Sequence, residues 1–151
     1  MIKFAVRKAK TIDSDNIILF LQKNFKTHNL KFNNRYIKNS FNEGIWFLSK
    51  INNKIVGIIF LKIINQDKRV ELKHLLVEES YRSKGIGKAL LSEAIKLAKK
   101  KKLRKITGMA TSSNSKILKK LANSFNFKLE GILKDHYRKN EDVYVYSLFL
   151  K

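Results

Sequence analysis

The chain has 151 residues and a mass of 17.7 kDa, enough for one ordinary domain with its own core. It contains no Cys and no Pro, which excludes disulfide frameworks, thiol nucleophiles and thiolate metal sites and leaves no rigid linker. Lys and Arg number 33 against 12 Asp and Glu, a net charge of +21 that draws nucleotides, phosphates, nucleic acid or acidic proteins without choosing among them.

Lys3 to Arg7 alternates Phe4 and Val6 with polar neighbours and reads as a first strand. Thr11 is the expected N-cap of a helix that follows, with Asp13 and Asp15 in its first turn and Ile17, Ile18 and Leu21 on its apolar face. Asn34 to Phe41 reads as a second, weaker helix. Trp46–Ile51 and Lys54–Ile64 are β-branched and aromatic, and Asn52-Asn53 between them suits a tight hairpin because Asn tolerates positive φ. After a polar turn at Asn65–Lys68, Arg69–Val77 is the third strand of this meander. The period then changes. Ile86, Leu90, Ala94 and Leu97 recur at helical spacing within Gly85–Lys102. A strand at Lys105–Ala110, a helix at Asn114–Phe125 and strands at Phe127–Ile132 and Val143–Leu150 complete the order β-α-α-β-β-β-α-β-α-β-β. The expected fold class is α/β (α+β), a mixed, mostly antiparallel sheet flanked by helices, in one domain over residues 1–151.

The expected setting is soluble and cytoplasmic, with no membrane contact. No apolar run nears the ~18 residues of a span, and Met1-Ile2-Lys3-Phe4 lacks a signal-peptide apolar segment. His28, His74 and His136 lack metal-ligand spacing, so no metal is expected. The dense cationic block Lys99–Lys102 falls where a helix ends, and cations there complement the helix dipole. Nucleic acid or ribosomal association remains an alternative raised by the charge, but Arg is scarce and the aromatics follow core periodicity.

Chemistry concentrates in Leu75-Leu76-Val77-Glu78-Glu79-Ser80-Tyr81-Arg82-Ser83-Lys84-Gly85-Ile86-Gly87-Lys88-Ala89. A strand runs into a basic, glycine-containing turn that opens directly into a helix. The first helical N–H groups lack intrahelical partners and carry the positive end of the dipole, so this turn suits a diphosphate, with Arg82, Lys84 and Lys88 as counter-charge. Neither the G-x-G-x-x-G nor the G-K-[ST] signature is present.

Arg82-Ser83-Lys84-Gly85-Ile86-Gly87 resembles the R/Q-x-x-G-x-G/A signature of the GNAT superfamily of acetyl-CoA-dependent N-acetyltransferases. The likeness extends along nearly the whole chain: Ser113-Asn114 follows the next strand, and Phe125-Asn126-Phe127 stands where members often read L-G-F. The closing segment from Gly131 to Tyr137 and on through Glu141-Asp142-Val143 is also similar. The resemblance implies acetyl-CoA as co-substrate and a primary amine as acceptor: a protein N-terminus, a lysine or a small amine. It implies that the backbone of Leu75, Leu76 and Val77 pairs with the pantetheine arm. It also implies that N–H groups from Arg82, Ser83, Lys84, Gly85, Ile86, Gly87, Lys88 and Ala89 bind the diphosphate, and that Asn114 holds the arm.

Glu71, six residues before Val77, matches the catalytic glutamate of histone-type members and is the candidate base, directly or through water. A strand N–H near Leu76 or Val77 would polarise the thioester carbonyl. The usual Tyr acid is missing at Lys119–Asn123, and Tyr137 is the expected substitute, with Tyr144 as a further candidate. The strand Thr107-Gly108-Met109-Ala110 also lacks the Glu that some N-terminal acetyltransferases carry there. Strict alternation places His74 on the face opposite Glu71, as packing, unless a bulge intervenes, and Trp46 and Phe47 read as core. His136 beside Tyr137 is a candidate lining residue of the acceptor slot, Asp142 a loop anchor, and the last strand a candidate edge for a homodimer as against a monomer.

Overall fold

The computed structural model describes residues 3–24, 32–112 and 115–151. The first half contains β1 (Ala5–Lys8), α1 (Ser14–Asn24), α2 (Asn34–Glu43), β2 (Gly44–Ile51), β3 (Lys54–Ile64) and β4 (Arg69–Val77). The second contains α3 (Ile86–Lys100), β5 (Lys105–Thr111), α4 (Ser115–Ser124), β6 (Lys128–Arg138) and β7 (Glu141–Phe149). The strands form one seven-stranded sheet in the order β1-β2-β3-β4-β5-β7-β6, antiparallel except for the β4–β5 pair.

The two-residue period of the strands divides the core between the two faces. Trp46, Leu48, Ile58 and Phe60 pack against Ile17, Leu21 and Ile37 of α1 and α2. Phe47, Ile59, Leu61 and Val70 pack against Ile86, Leu90 and Ala94 of α3 on the other side. Trp46 and Phe47 are thus core residues on opposite faces, both buried. Gly57 lets α3 sit close to β3: a Cβ there would meet Ile86 Cγ2 at 2.9 Å and Leu90 Cδ1 at 3.1 Å.

Turns follow the chemistry of their residues. Asn52 and Asn53 take φ of 49° and 65°, the paired positive values of a tight two-residue hairpin. At the end of α3, Lys102 is left-handed and Leu103 N–H bonds Ala98 O at 3.0 Å, so the Lys99–Lys102 block sits in a capped helix terminus.

Two expectations about the ends of the chain need correcting. Thr11 does not cap α1; it opens a 3-10 turn, Thr11–Asp13, in which Asp13 accepts from Lys10 N–H at 2.8 Å. The last strand does not lie at an edge either. β7 is paired on both sides, by β5 and β6, so its backbone has no free ladder for a second copy.

Candidate active site

Parallel pairing between β4 and β5 runs only from Arg69–Leu72 against Lys105–Gly108. Beyond it β4 continues to Val77 and β5 to Thr111, and β5 stays bound to β7 throughout. The two central strands therefore part in mid-sheet and leave a gap between residues 73–77 and residues 109–111.

A β-bulge marks the parting. The β3–β4 register shifts between Ile58 and Phe60, where Phe60 opposes Lys73 and Ile58 opposes Leu76. One extra residue is thereby inserted into β4, and His74 takes φ 57°, a left-handed conformation costing roughly 1–2 kcal/mol in a non-glycine residue. The insertion corrects the alternation expected for His74. Its ring lies among Phe32, Tyr36 and Trp46 on the α1–α2 face, in parallel contact with the Trp46 ring at 5.8 Å. Val70 and Leu72 point to the α3 face, so Glu71 between them shares the His74 side of the sheet. The Tyr36 hydroxyl and His74 Nε2 are hydrogen-bonded at 2.5 Å. Burial, with a smaller push from Lys73, lowers the His74 pKa to about 4 and keeps the ring neutral at physiological pH. Burial likewise raises the Tyr36 phenol above its ordinary value, helped by Glu43.

Glu78 N–H bonds Val56 O at 2.9 Å. Hydrogen-bonded rungs alternate along an antiparallel ladder, so Leu76 opposite Ile58 also turns its peptide groups towards β3. Leu75 and Val77 turn theirs towards the gap, and Val77 O accepts from Arg82 Nε at 3.1 Å. Of the three strand residues expected to pair with a ligand, Leu76 is thus engaged elsewhere.

The turn after β4 gathers free backbone donors. Arg82 N–H is used by Glu79 O at 3.2 Å and Ala89 N–H by Gly85 O at 3.0 Å, which removes both amides from the expected set. The intervening N–H groups of Ser83, Lys84, Gly85, Ile86, Gly87 and Lys88 have no hydrogen-bond partner among the described residues. Gly85, at φ 86°, forms the N-cap of α3, and nothing lies within 4 Å of where its Cβ would be. Lys84 and Lys88 make no ion pair among the described residues. Free amides, the positive end of a 15-residue helix and unpaired cations fit a diphosphate, and the gap edges fit an amide-bearing arm. Ile86 contributes its backbone only, since its side chain is buried in the core.

Glu71 stands level with Thr107 and Ser147 across the sheet. Arg69 Nη1 donates to its Oε1 at 2.7 Å and Lys73 Nζ lies 3.8 Å from Oε2. The Arg69 hydrogen bond, reinforced by nearby Lys charges, holds its pKa below the ordinary glutamate value. Beside it, Thr107 Oγ1 and Ser147 Oγ lie 3.1 Å apart, Ser147 donates to Glu130 at 2.7 Å, and Lys105 donates to the other Glu130 oxygen at 2.7 Å. This polar row had no signal in the sequence beyond strand alternation.

Tyr137 is exposed near the β6–β7 tip, in ring contact with His136 at 4.7 Å. That tip lies past the Thr111–Val143–Leu133 level, four strand positions or about 13 Å beyond Thr107. Glu71 and Tyr137 are therefore not neighbours. Tyr144 turns to the α3 face. Asp142 anchors the tip, accepting from Lys134 Nζ at 2.8 Å and Asp135 N–H at 3.1 Å. Asn126 takes φ 64°, a conformation that glycine adopts readily. Asn114, Ser113 and His28 lie outside the described residues. Among the described residues no three His, Asp or Glu side chains converge as metal ligands, and no helix is long and apolar enough to cross a membrane.

Comparison with known proteins gives this geometry a context. Residues 14–127 match the model of the Acetyltransferase (GNAT) family. Over 91 residues, 60% of the chain, the sequence is 30% identical to N-acetylaspartate synthetase of Xenopus tropicalis, although the match covers 33% of that protein. An N-acetyltransferase structure from Staphylococcus aureus Mu50 superposes with a TM-score of 0.84 at 25% identity, covering 99% of both chains. The ribosomal-protein-S18-alanine N-acetyltransferase of Escherichia coli superposes at 0.83 and 18% identity, covering 99% of this chain and 95% of that one. The family match spans most of the sequence and the fold agrees from end to end: the chain belongs to the acetyltransferase (GNAT) family.

Proposed function

We propose that the protein transfers an acetyl group from acetyl-CoA to a primary amine by direct attack on the thioester. The observation that carries this reading is the row of amides from Ser83 to Lys88, unpartnered among the described residues, at the start of α3 beside the gap between β4 and β5. The diphosphate of the co-substrate would lie on those amides, with Arg82, Lys84 and Lys88 around it. Its amide arm would run along the Leu75 and Val77 edge, and Asn114 is proposed to meet the same arm. Acetyl-CoA supplies the activated thioester; the chain supplies orientation and charge.

Among amines, an α-amino group fits best. Glu71 is tied to Arg69 and is a weakened base. A lysine amine, with a pKa near 10.4, is almost wholly protonated at neutral pH, whereas an α-amino group near 8 needs little help. Glu71 would receive the proton that the neutral amine sheds as its nitrogen bonds the thioester carbon, directly or through water. The Leu75 or Val77 N–H would face the carbonyl oxygen as negative charge develops there. A thiol titrates near 8.5, so thiolate departure needs no strong acid; Tyr137, remote from Glu71, is not required for it. N-acetylaspartate synthetase is named for an N-acetylated α-amino acid and the S18-alanine enzyme for an alanine acceptor, which supports the same preference.

The test is thiol release from acetyl-CoA with three acceptor sets: free amino acids, short peptides with unblocked N-termini, and N-blocked peptides containing lysine. Turnover with either of the first two sets and not the third supports the reading. Turnover confined to blocked lysine peptides refutes the α-amino preference, and no thiol release with any amine refutes the activity.

A further inference from the structure

The Tyr36–His74 hydrogen bond joins α2 to the one irregular point of β4. Asn33 caps α2 by accepting from Tyr36 N–H at 2.9 Å, which fixes Tyr36 in the first turn. Trp46, parallel to the His74 ring, donates from Nε1 to Ser40 Oγ of the same helix at 2.7 Å, and Ser40 in turn donates to Ile37 O at 2.5 Å. The His74 ring is therefore held by α2 through the Tyr36 hydroxyl and by β2 through the Trp46 ring. His74 is also the left-handed residue whose insertion sets which peptide groups of the following residues face the gap. A residue other than glycine keeps such a conformation only where its surroundings over-determine it.

We propose that Tyr36 is a positioning residue for acetyl transfer: through its hydrogen bond to His74 it locks the β4 bulge and so fixes the gap-facing peptide groups of Leu75 and Val77. The proposal rests on the acetyl-transfer reading for its kinetic consequence but not for its structural one. Tyr36 reaches the reaction only through His74 and the strand. Replacing its hydroxyl leaves the aromatic packing with Phe32 and the His74 ring in place, because Phe has the same ring. The lock accounts for a buried, neutral His at a position where an Asn or Gly would take the same backbone conformation more readily.

The test is Tyr36→Phe in the full chain, read in two ways. Amide hydrogen exchange, followed residue by residue, should accelerate at least tenfold at Leu76 and Glu78, whose amides turn towards β3 just past the bulge, and stay within twofold in β2, β5 and β7. With a competent amine, kcat should fall about tenfold and KM for acetyl-CoA should rise with the loosened Leu75 and Val77 edge, while the affinity for ADP, a diphosphate without the arm, changes less than twofold, since the Ser83–Lys88 amides are untouched. His74→Phe should reproduce both effects, and Tyr36→Phe combined with His74→Phe should add no further loss, because the two residues act as one unit. Unaltered exchange at the bulge in Tyr36→Phe overturns the lock even if no amine turns over. Faster exchange with unaltered kcat overturns the positioning role. Absence of turnover in the unmodified protein counts against the acetyl-transfer reading alone, and the exchange result still decides the lock.

Discussion

Arg69 and Glu71, two residues apart on one strand face, are joined by a 2.7 Å hydrogen bond that keeps the carboxylate ionised below its usual titration range. The pKa is lowered, so protonation of Glu71 sets in only in acid and contributes no limb near neutrality. Under the proposed mechanism kcat/KM rises with pH along the ionisation of the acceptor itself, near 8 for an α-amino group. Glu71→Gln should lower kcat/KM by roughly a hundredfold across the profile without moving that limb. A pH–rate series on both proteins checks this, and equal rates would remove Glu71 from the mechanism.

Gly85 tests the anion cradle by conformation rather than by bulk. Its φ of 86° is left-handed, and open space surrounds its missing Cβ, so a side chain there is strained without clashing. Gly85→Val should destabilise the fold by about 1–2 kcal/mol and weaken CoA binding at least tenfold. Gly85→Asn should retain most of both, since Asn tolerates this region. Thermal melts and calorimetric titration with CoA distinguish the two variants.

Gly57 tests the seat of α3. Ile86 and Leu90, which a Gly57→Ala methyl would strike at about 3 Å, are fully buried and have no free direction to retreat. We expect a loss of about 1–3 kcal/mol, measured by denaturant titration. Weaker CoA binding should accompany it, because Ile86 is also the first residue of the helix that presents the cradle.

Acid should weaken the protein in two stages. The folded His74 pKa, near 4, lies below its ordinary 6.5, so the unfolded chain takes up this proton first. The stability that a neutral His74 represents is complete above pH 6.5 and is lost as pH falls towards 4, about 3 kcal/mol in all. His74→Phe should flatten that part of a stability–pH curve. Asp13, lowered to about 2 chiefly by hydrogen bonds from Arg7, acts further down: its contribution is whole above pH 4 and disappears through pH 2. Asp13→Asn should cost about 1–2 kcal/mol at neutral pH and remove the second stage.

Most of the architecture was legible because its causes are local. Periods of 2 and 3.6 marked β2–β4 and α3, and Asn52-Asn53 marked its hairpin. The bulge was not, because an inserted residue leaves His74-Leu75-Leu76 looking like continuous strand. Only the register with β3 shows that parity has changed, and with it the face of His74. Thr11 was misleading because a cap and the start of a 3-10 turn draw on the same residue types. Strand β6 runs to Arg138 although its second half is polar and exposed, since pairing with β7 across an irregular register, rather than burial, holds it. In the candidate site, the glycine turn announced itself through spacing. The contact between Tyr36 and His74 joins residues 38 apart and has no spacing to read.

The parting of β4 from β5 has a mechanical consequence. Strands β1–β4 form one leaf and β5, β7 and β6 another, and along the sheet only four rungs, Arg69–Leu72 against Lys105–Gly108, stitch the leaves together. Any molecule that bonds to both lips of the opening extends that seam, so occupancy and rigidity become a single event. The donor thioester would then act as a temporary eighth strand, stiffening the sheet on arrival and slackening it on departure.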